Sequence, residues 1–177
     1  MTGGTFDVTI HSLENGKSLD LVGMDKLHID EQEIYFEKPG MSVTLNGIAQ
    51  GYITDRVTEL LKTEGLSNVL VELGEKRAIG GHPSGRPWFL ALNNTQAPVP
   101  LTDKALATSV AYSPNTQEPH IYMPLTGHYA QKHKMVSVLA NTATMADSLS
   151  TGFMALSQRR IQSIQKTCSE EINVFTS

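Results

Sequence analysis

The sequence is poor in cysteine and lacks both a basic cluster and a long apolar run. Cys168 is the one cysteine among 177 residues, which excludes a disulfide within the chain, and we expect it to be an inert, half-buried thiol. The densest basic spot is the pair Arg159 and Arg160, and the formal net charge is -4. A surface that binds phosphate backbones needs clustered Lys and Arg, so nucleic acid is not expected as a partner. No stretch reaches the ~18 consecutive apolar residues of a membrane-spanning helix, and no signal peptide is recognised.

Hydrophobic residues make up 40% of the sequence, which predicts one globular domain over residues 1–177. Apolar periodicity predicts strands at 5–10, 27–29, 34–36, 42–45, 69–73, 88–92, 106–110, 120–123, 135–139 and 172–175. It predicts helices at 48–63, with Ile53, Val57, Leu60 and Leu61 as the apolar stripe, at 145–156 and at 158–166. Gly65 is expected to end the first helix, and residues 80–85 and the segment through Pro98 and Pro100 read as loops. Because helices and strands do not alternate strictly, the fold class is α+β, an antiparallel sheet with flanking helices.

The segment 144–151 (TMADSLST) carries an acid and an alcohol one helical turn apart. Asp147 and Thr151 stand at positions i and i+4, so they share a helix face and both can point at one hard cation. Mg²⁺ prefers oxygen ligands of this kind. A carboxylate in the first turn of a helix is also favoured by the helix dipole, so the pair alone leaves a purely structural role open.

Two further segments carry chemistry. Gly47 and Gly51 flank a strand-to-helix junction, where free N–H groups favour phosphate, although a tight turn without a ligand explains them as well. His120 precedes a Pro-x-Thr-Gly turn and is a candidate general base, since an unperturbed imidazole titrates near neutrality. His128 and His133 lie nearby, but their spacing fits no standard metal-ligand pattern.

Taken together and in order, these segments resemble the motifs of the ApbE family of FAD:protein FMN transferases over nearly the whole chain. Residues 2–9 (TGGTFDVT) are similar to a small-Gly-x-Phe-Asp-x-Thr segment, 45–52 (LNGIAQGY) with Asp55 and Arg56 to LGGIAKGY followed by Asp-Arg, 68–74 (NVLVELG) to N-x-LVNLG, 107–109 (ATS) to ATS, 120–127 (HIYMPLTG) to HI-x-DP-x-TG, and 146–151 (ADSLST) to ADALST. The resemblance implies an ApbE-like, T-fold-like α+β domain that lacks the family's N-terminal part. Family members are commonly periplasmic or membrane-anchored, but no anchor is recognised here.

The resemblance also implies ligands and roles. Asp147, Thr151 and the main-chain carbonyl of Ala49 would hold Mg²⁺ against the FAD diphosphate, with His120 and Asp147 as the catalytic residues. The cofactor-binding positions carried over are Gly47, Gln50, Tyr52, Glu72, Thr108, Ser109, His120 and Thr126. The implied reaction moves FMN from FAD to a Thr or Ser hydroxyl of an acceptor flavoprotein and releases AMP. An exposed sheet edge would favour a homodimer or pairing with another chain.

Several positions depart from the family pattern. Gln50 stands where the family has Lys, Glu75 and Lys76 where it has Gly-Asp, Val110 where it has Gly, and Met123 where it has Asp. Losing a charged contact to phosphate weakens binding by roughly tenfold or more. Three interpretations therefore stay open: an FMN transferase, an FAD-binding or FAD-hydrolysing homologue without transfer, and a structural module without a ligand.

Overall fold

The computed structural model describes residues 2–93, 95–113 and 115–177; Met1, Asn94 and Pro114 of the predicted domain lie outside the described residues. Its strands are β1 (Leu27–Ile29), β2 (Ile34–Phe36), β3 (Val69–Leu73), β4 (Glu75–Ile79), β5 (Trp88–Leu90), β6 (Val99–Leu101), β7 (Ala105–Val110), β8 (Met135–Ala140) and β9 (Asn173–Thr176). Its helices are α1 (His11–Glu14), α2 (Ala49–Thr63), α3 (Ala143–Phe153) and α4 (Gln158–Thr167). The predicted α+β class is confirmed.

An antiparallel five-stranded sheet, in the order β3-β4-β7-β8-β9, forms the centre of the fold. One face carries small and β-branched residues such as Ala107, Val136 and Val138, which pack against Phe153 of α3 and Ile161 of α4. The opposite face carries Ala78 and Leu106 and is covered by the β5–β6 hairpin. Helices α3 and α4 thus cover one face of the sheet, and the site described below lies on that face.

Three predicted strands are wrong. Residues 5–10 contain a 3-10 helix, Val8–Ile10, because the Asp7 carboxylate accepts hydrogen bonds from Thr9 N and Thr9 Oγ1 at 2.9 and 2.6 Å, and such local bonds compete with a strand. Residues 42–45 form no ladder; the Thr44 N–H is donated to Val8 O at 2.8 Å. Residues 120–123 form a loop with one isolated bridge, Tyr122 to Tyr129, since a turn follows directly, in which Met123 O accepts the N–H groups of Thr126 and Gly127.

Two strands of the structure were not predicted from the sequence. β4 contains Glu75, Lys76 and Arg77, which hide the alternation of a strand, yet it pairs with β3 from Leu73↔Glu75 to Val69↔Ile79. β6 contains Pro100 and lies in a segment predicted as a loop; among the described residues it pairs with β5 alone, in a hairpin where a missing N–H is tolerated.

The boundaries of α2 were predicted closely, but its buried face was not. Ile53 and Leu60, part of the predicted apolar stripe, are 52% and 59% exposed, whereas Thr54, Asp55 and Thr58 are buried. Gly65 ends the helix as expected, with φ +86° and its N–H donated to Lys62 O. Asp55 on the buried face bonds α3 and β4, whereas the Thr58 hydroxyl donates to Thr54 O within α2. Within the described residues, no helix is both long and apolar enough to cross a membrane.

Candidate functional site

Asp55 of α2 fixes the start of α3, the helix that carries the predicted metal ligands. Its carboxylate accepts the N–H groups of Ala143 and Thr144, both at 2.8 Å, and pairs with Arg77 of β4 at 2.9 Å. The Thr142 side chain caps the same end by accepting the Met145 N–H at 3.2 Å. The N-terminus of α3 is thereby tied to both α2 and the sheet. Since α3 begins at Ala143, Asp147 lies in its second turn, and the predicted first-turn position is wrong.

Asp147 is buried where α2 crosses α3. Its side chain is 5% exposed and its Oδ2 accepts the Gly51 N–H at 3.0 Å. A Cβ on Gly51 would lie 2.3 Å from Ala143 O, so only glycine permits this approach. Burial raises the pKa of Asp147, and the Gly51 N–H opposes that rise. The amide that was expected to favour phosphate is thus already bonded to a carboxylate.

Thr151 lies one turn further along α3, and its hydroxyl is part of a short chain of alcohols. Ser109 Oγ on β7 lies 3.2 Å from Thr151 Oγ1 and 2.7 Å from Ser150 Oγ. Ser150 in turn donates to Asp147 O at 3.0 Å. Gly47 packs against Thr151, with an ideal Cβ 3.2 Å from Thr151 Cγ2. The chain of alcohols gives the Thr151 hydroxyl a defined direction.

These side chains face one cavity of about 520 Å³. Of the predicted site residues, the cavity lining includes Gly47, Gln50, Thr108, Ser109, His120, Asp147 and Thr151. Ala49 begins α2 between two lining residues without lining the cavity itself. Tyr52, Glu72 and Thr126 are exposed and do not line it.

Three of the family departures have structural consequences. Gln50 packs over the turn after β3, with its Cδ 3.0 Å from an ideal Cβ on Gly74. Lys76 points away from the cavity and pairs with Glu72 at 3.0 Å. Met123 packs against the core formed by the sheet, α3 and α4, so this position contributes no carboxylate.

Glu75 is a functional candidate that sequence reasoning missed, because the family pattern has glycine at this position and therefore assigns it no side-chain role. It begins β4, is 8% exposed and lines the cavity. Burial and then the charge of Asp147 raise the pKa of Glu75 from 4.5 to about 7. Burial is the larger cause, and the charge of Asp147, which lines the same cavity, adds to it.

A pair of tyrosines at the cavity was also missed. The hydroxyls of Tyr122 and Tyr129 lie 2.8 Å apart and their ring centroids 4.4 Å apart. Their mutual hydrogen bond is the main cause that raises the pKa of Tyr122 to about 12. Both tyrosines line the cavity, as His120 does, and add aromatic surface to it.

The donor set fits a hard cation. Asp147 and Thr151 line the cavity and offer oxygen atoms, which Mg²⁺ prefers; Ala49, whose carbonyl the family resemblance implies as a third ligand, does not line it. No three His, Cys, Asp or Glu side chains among the described residues group as a metal site, so hydroxyl and main-chain oxygens would have to complete the coordination. The lining has four carboxylates and, among the residues described, neither Lys nor Arg. A phosphate could approach such a cavity only with a cation to neutralise it.

The fold is an α+β domain with an acidic cavity that contains oxygen donors. The ApbE family model matches residues 1–176, and the chain belongs to the ApbE family. It is 33% identical over 156 residues to an FAD:protein FMN transferase of Haemophilus influenzae, and 30% identical over 154 residues to one of Vibrio cholerae. The structure is similar to the flavinyl transferase ApbE of Pseudomonas stutzeri in its apo form, with a TM-score of 0.84 and 26% identity.

The matches are unequal in coverage. The aligned regions include 77% and 79% of this chain but 45% and 46% of the H. influenzae and V. cholerae proteins. The structural match covers 99% of this chain and 66% of the P. stutzeri chain. The chain therefore spans less than half the length of those two relatives, and the activity of a whole family protein is a proposal for it.

Proposed function

We propose that this chain supplies the cation and diphosphate site of an FAD:protein FMN transferase. In the proposed reaction, FMN moves from FAD to a Thr or Ser hydroxyl of an acceptor flavoprotein, and AMP is released. The observation that carries the proposal is that Asp147, Thr151 and His120 line one cavity in a chain of the ApbE family. The names of its relatives, FAD:protein FMN transferase, support the same reaction class.

The residues around the cation site act mainly by positioning. Mg²⁺, when bound, would neutralise diphosphate charge and act as a Lewis acid on the phosphoryl oxygens. Asp147, Thr151 and the Ala49 carbonyl would hold it. The Gly51 N–H fixes Oδ2 of Asp147 and leaves Oδ1 for a ligand, while Ser109 orients the Thr151 hydroxyl. These donors are set by the fold before any ligand arrives, which reduces the cost of organising the site.

His120 is the proposed base. It lies in an exposed loop at the cavity, where an acceptor side chain can approach from solvent. His120 would take the proton of the acceptor hydroxyl. The acceptor oxygen then bonds to the FMN phosphorus, and the bond between that phosphorus and AMP breaks. This division of labour follows phosphoryl transfer generally, in which the protein positions the reactants and offsets charge.

The test is to mix the chain with FAD, MgCl₂ and an acceptor flavoprotein. AMP is measured by chromatography, and transferred FMN by fluorescence that survives SDS gel electrophoresis. We expect both products from the wild type and neither from Asp147→Asn. Ser148→Ala, on the same helix but outside the cavity, is the matched control and should keep activity. Undiminished Mg²⁺-dependent transfer by Asp147→Asn would refute the metal assignment.

A second function, FAD binding or hydrolysis without transfer, is favoured by one observation. Gln50 lines the cavity at the family's Lys position, and no described lining residue is Lys or Arg. The same experiment separates the candidates. AMP and free FMN without a fluorescent band indicate hydrolysis, and flavin quenching with neither product indicates binding alone. Absence of quenching indicates a structural module without a flavin ligand.

A further inference from the structure

The four carboxylates of the cavity are not equivalent. Asp7 is used by the fold, since it accepts hydrogen bonds from the N–H and hydroxyl of Thr9 and from the Met24 N–H at 3.2 Å. Glu14 pairs with His11 at 3.0 Å. Glu75 and Asp147 are 8% and 5% exposed and both border the cavity; burial raises the pKa of each, and the charge of Asp147 raises that of Glu75 further, while Lys76 lowers it in part.

The register of β4 directs Glu75 toward the helices. Side chains two residues apart share a strand face, and Arg77 is bonded to Asp55 of α2 at 2.9 Å. Glu75 therefore lies on the same side of the sheet as α2 and α3. The cationic neighbour in sequence, Lys76, is on the other face and pairs with Glu72. The Glu75 carboxylate accepts a main-chain hydrogen bond from Thr108 and borders the cavity.

Two buried carboxylates that border one cavity raise the free energy of the folded protein when both are ionised, unless a positive charge lies near them. No Lys or Arg among the described lining residues supplies that charge. A divalent cation does so, and Mg²⁺ commonly binds through one or two protein carboxylates. Glu75 stands where the family pattern has glycine, so this arrangement belongs to this chain's own sequence.

We propose that Glu75 is an additional ligand of the cation held by Asp147 and Thr151. The inference rests on the proposed cation site. Two carboxylates carry enough charge to balance a divalent ion, so the chain should bind the cation before any nucleotide is present. Glu75 is then a cation ligand and not an obstruction to the flavin.

The test is to titrate the chain with Mn²⁺ in the absence of nucleotide. Binding is measured as the loss of the EPR signal of free Mn²⁺. We expect Glu75→Gln and Asp147→Asn each to raise the Kd at least tenfold. Glu72→Gln removes a carboxylate three residues away that is paired with Lys76 outside the cavity, and it should change the Kd less than twofold. An unchanged Kd for Glu75→Gln, or a wild type that binds no Mn²⁺, would overturn the inference.

A crystal soaked in Mn²⁺ separates ligation from a general charge effect. The anomalous peak should lie at coordination distance, about 2.1 Å, from a Glu75 carboxylate oxygen; a peak beyond reach of Glu75 overturns the inference. If Glu75→Gln does not fold, Glu75→Gly, which has the family residue, takes its place. This inference and the proposed function can fail separately. If the chain transfers FMN but its Mn²⁺ affinity does not depend on Glu75, only this inference is wrong. If Mn²⁺ binding depends on Glu75 but no FMN is transferred, only the transferase proposal is wrong.

Discussion

At the residue scale, the chemistry of the cavity depends on which polar groups the fold has already used. Asp147 has one oxygen bonded to Gly51 and is otherwise directed at the cavity, while Asp7 is fully engaged as a cap. His120 is exposed, with no metal-like grouping around it among the residues described. Asp147 is therefore suited to hold a cation, and His120 to exchange a proton.

Replacing His120 should separate binding from transfer. We expect His120→Ala to slow FMN transfer by about 10²-fold or more, the usual contribution of a general base, with FAD affinity changed much less. Transfer rates and flavin fluorescence titrations measure the two effects. His128→Ala, a nearby exposed histidine that does not line the cavity, is the control. Equal losses of rate and affinity in His120→Ala would contradict a role as base.

Glu75 should make stability depend on pH when divalent cations are removed with EDTA. Its folded-state pKa of about 7 exceeds the ordinary 4.5, so the folded protein binds this proton more tightly than the unfolded chain. Its contribution is therefore fully present below pH 4.5, declines as pH rises toward 7, and is lost above. The loss is on the order of a few kcal/mol.

Urea unfolding at pH 5 and pH 7.5 measures this decline. Glu75→Gln should remove the part of the decline in stability that Glu75 causes. A smaller decline with rising pH should remain from Asp147, whose pKa is also raised. Glu72→Gln should behave as the wild type. A wild type whose stability declines between pH 5 and pH 7.5 no more than that of Glu75→Gln would contradict the expected effect of Glu75.

At the element scale, the site is built by the crossing of α2 and α3. Gly51 allows the helices to touch, and Asp55 bonds the first N–H groups of α3 while pairing with Arg77 of β4. Because Asp147 and Thr151 follow on the second and third turns of α3, any shift of its N-terminus would displace both ligands. The polar face of α2 thus has a positional role that its apolar residues do not share.

Asp55→Asn should destabilise the protein strongly. The substitution removes the negative charge that pairs with Arg77 and that accepts the N–H groups of Ala143 and Thr144. Breaking a buried ion pair of this kind lowers the free energy of unfolding by about 3 kcal/mol. Glu59→Gln changes the other, half-exposed partner of Arg77 and should cost less than about 1 kcal/mol. Urea unfolding of both variants provides the comparison. Equal, small effects would show that Asp55 does not organise the helix crossing.

At the scale of the whole molecule, charge decides how a diphosphate can bind. The chain carries a net charge of -4, and its cavity has four carboxylates in the lining. An anionic ligand is repelled by both, so its binding should depend on the cation.

FAD affinity should fall at least tenfold when MgCl₂ is replaced by EDTA, as measured by flavin fluorescence quenching. Riboflavin, which has no phosphate, is the matched control ligand, and whatever affinity it has should not depend on Mg²⁺. FAD binding of equal strength in both buffers would contradict a cation-mediated diphosphate site.

Local patterns in the sequence were sufficient for elements whose own residues determine them. The apolar period predicted the helix at 145–156, which contains most of α3. It also predicted the strands at 27–29 and 34–36, which are β1 and β2; Asp30 accepts the N–H groups of Gln32 and Glu33 in the turn between them. The i, i+4 spacing likewise placed Asp147 and Thr151 on one helix face. These predictions succeeded because each depends on contacts within a few residues.

The sequence by itself determined the family, the helices with strong periodicity and the acid and alcohol of the site. Only the tertiary structure decided that Glu75 of β4 and the His120 loop border the cavity of Asp147, and that α2 buries Asp55 while Ile53 is exposed. The reason is physical: burial and electrostatic coupling arise between residues distant in sequence, such as Gly51 and Asp147, and no local period records which distant segments will meet.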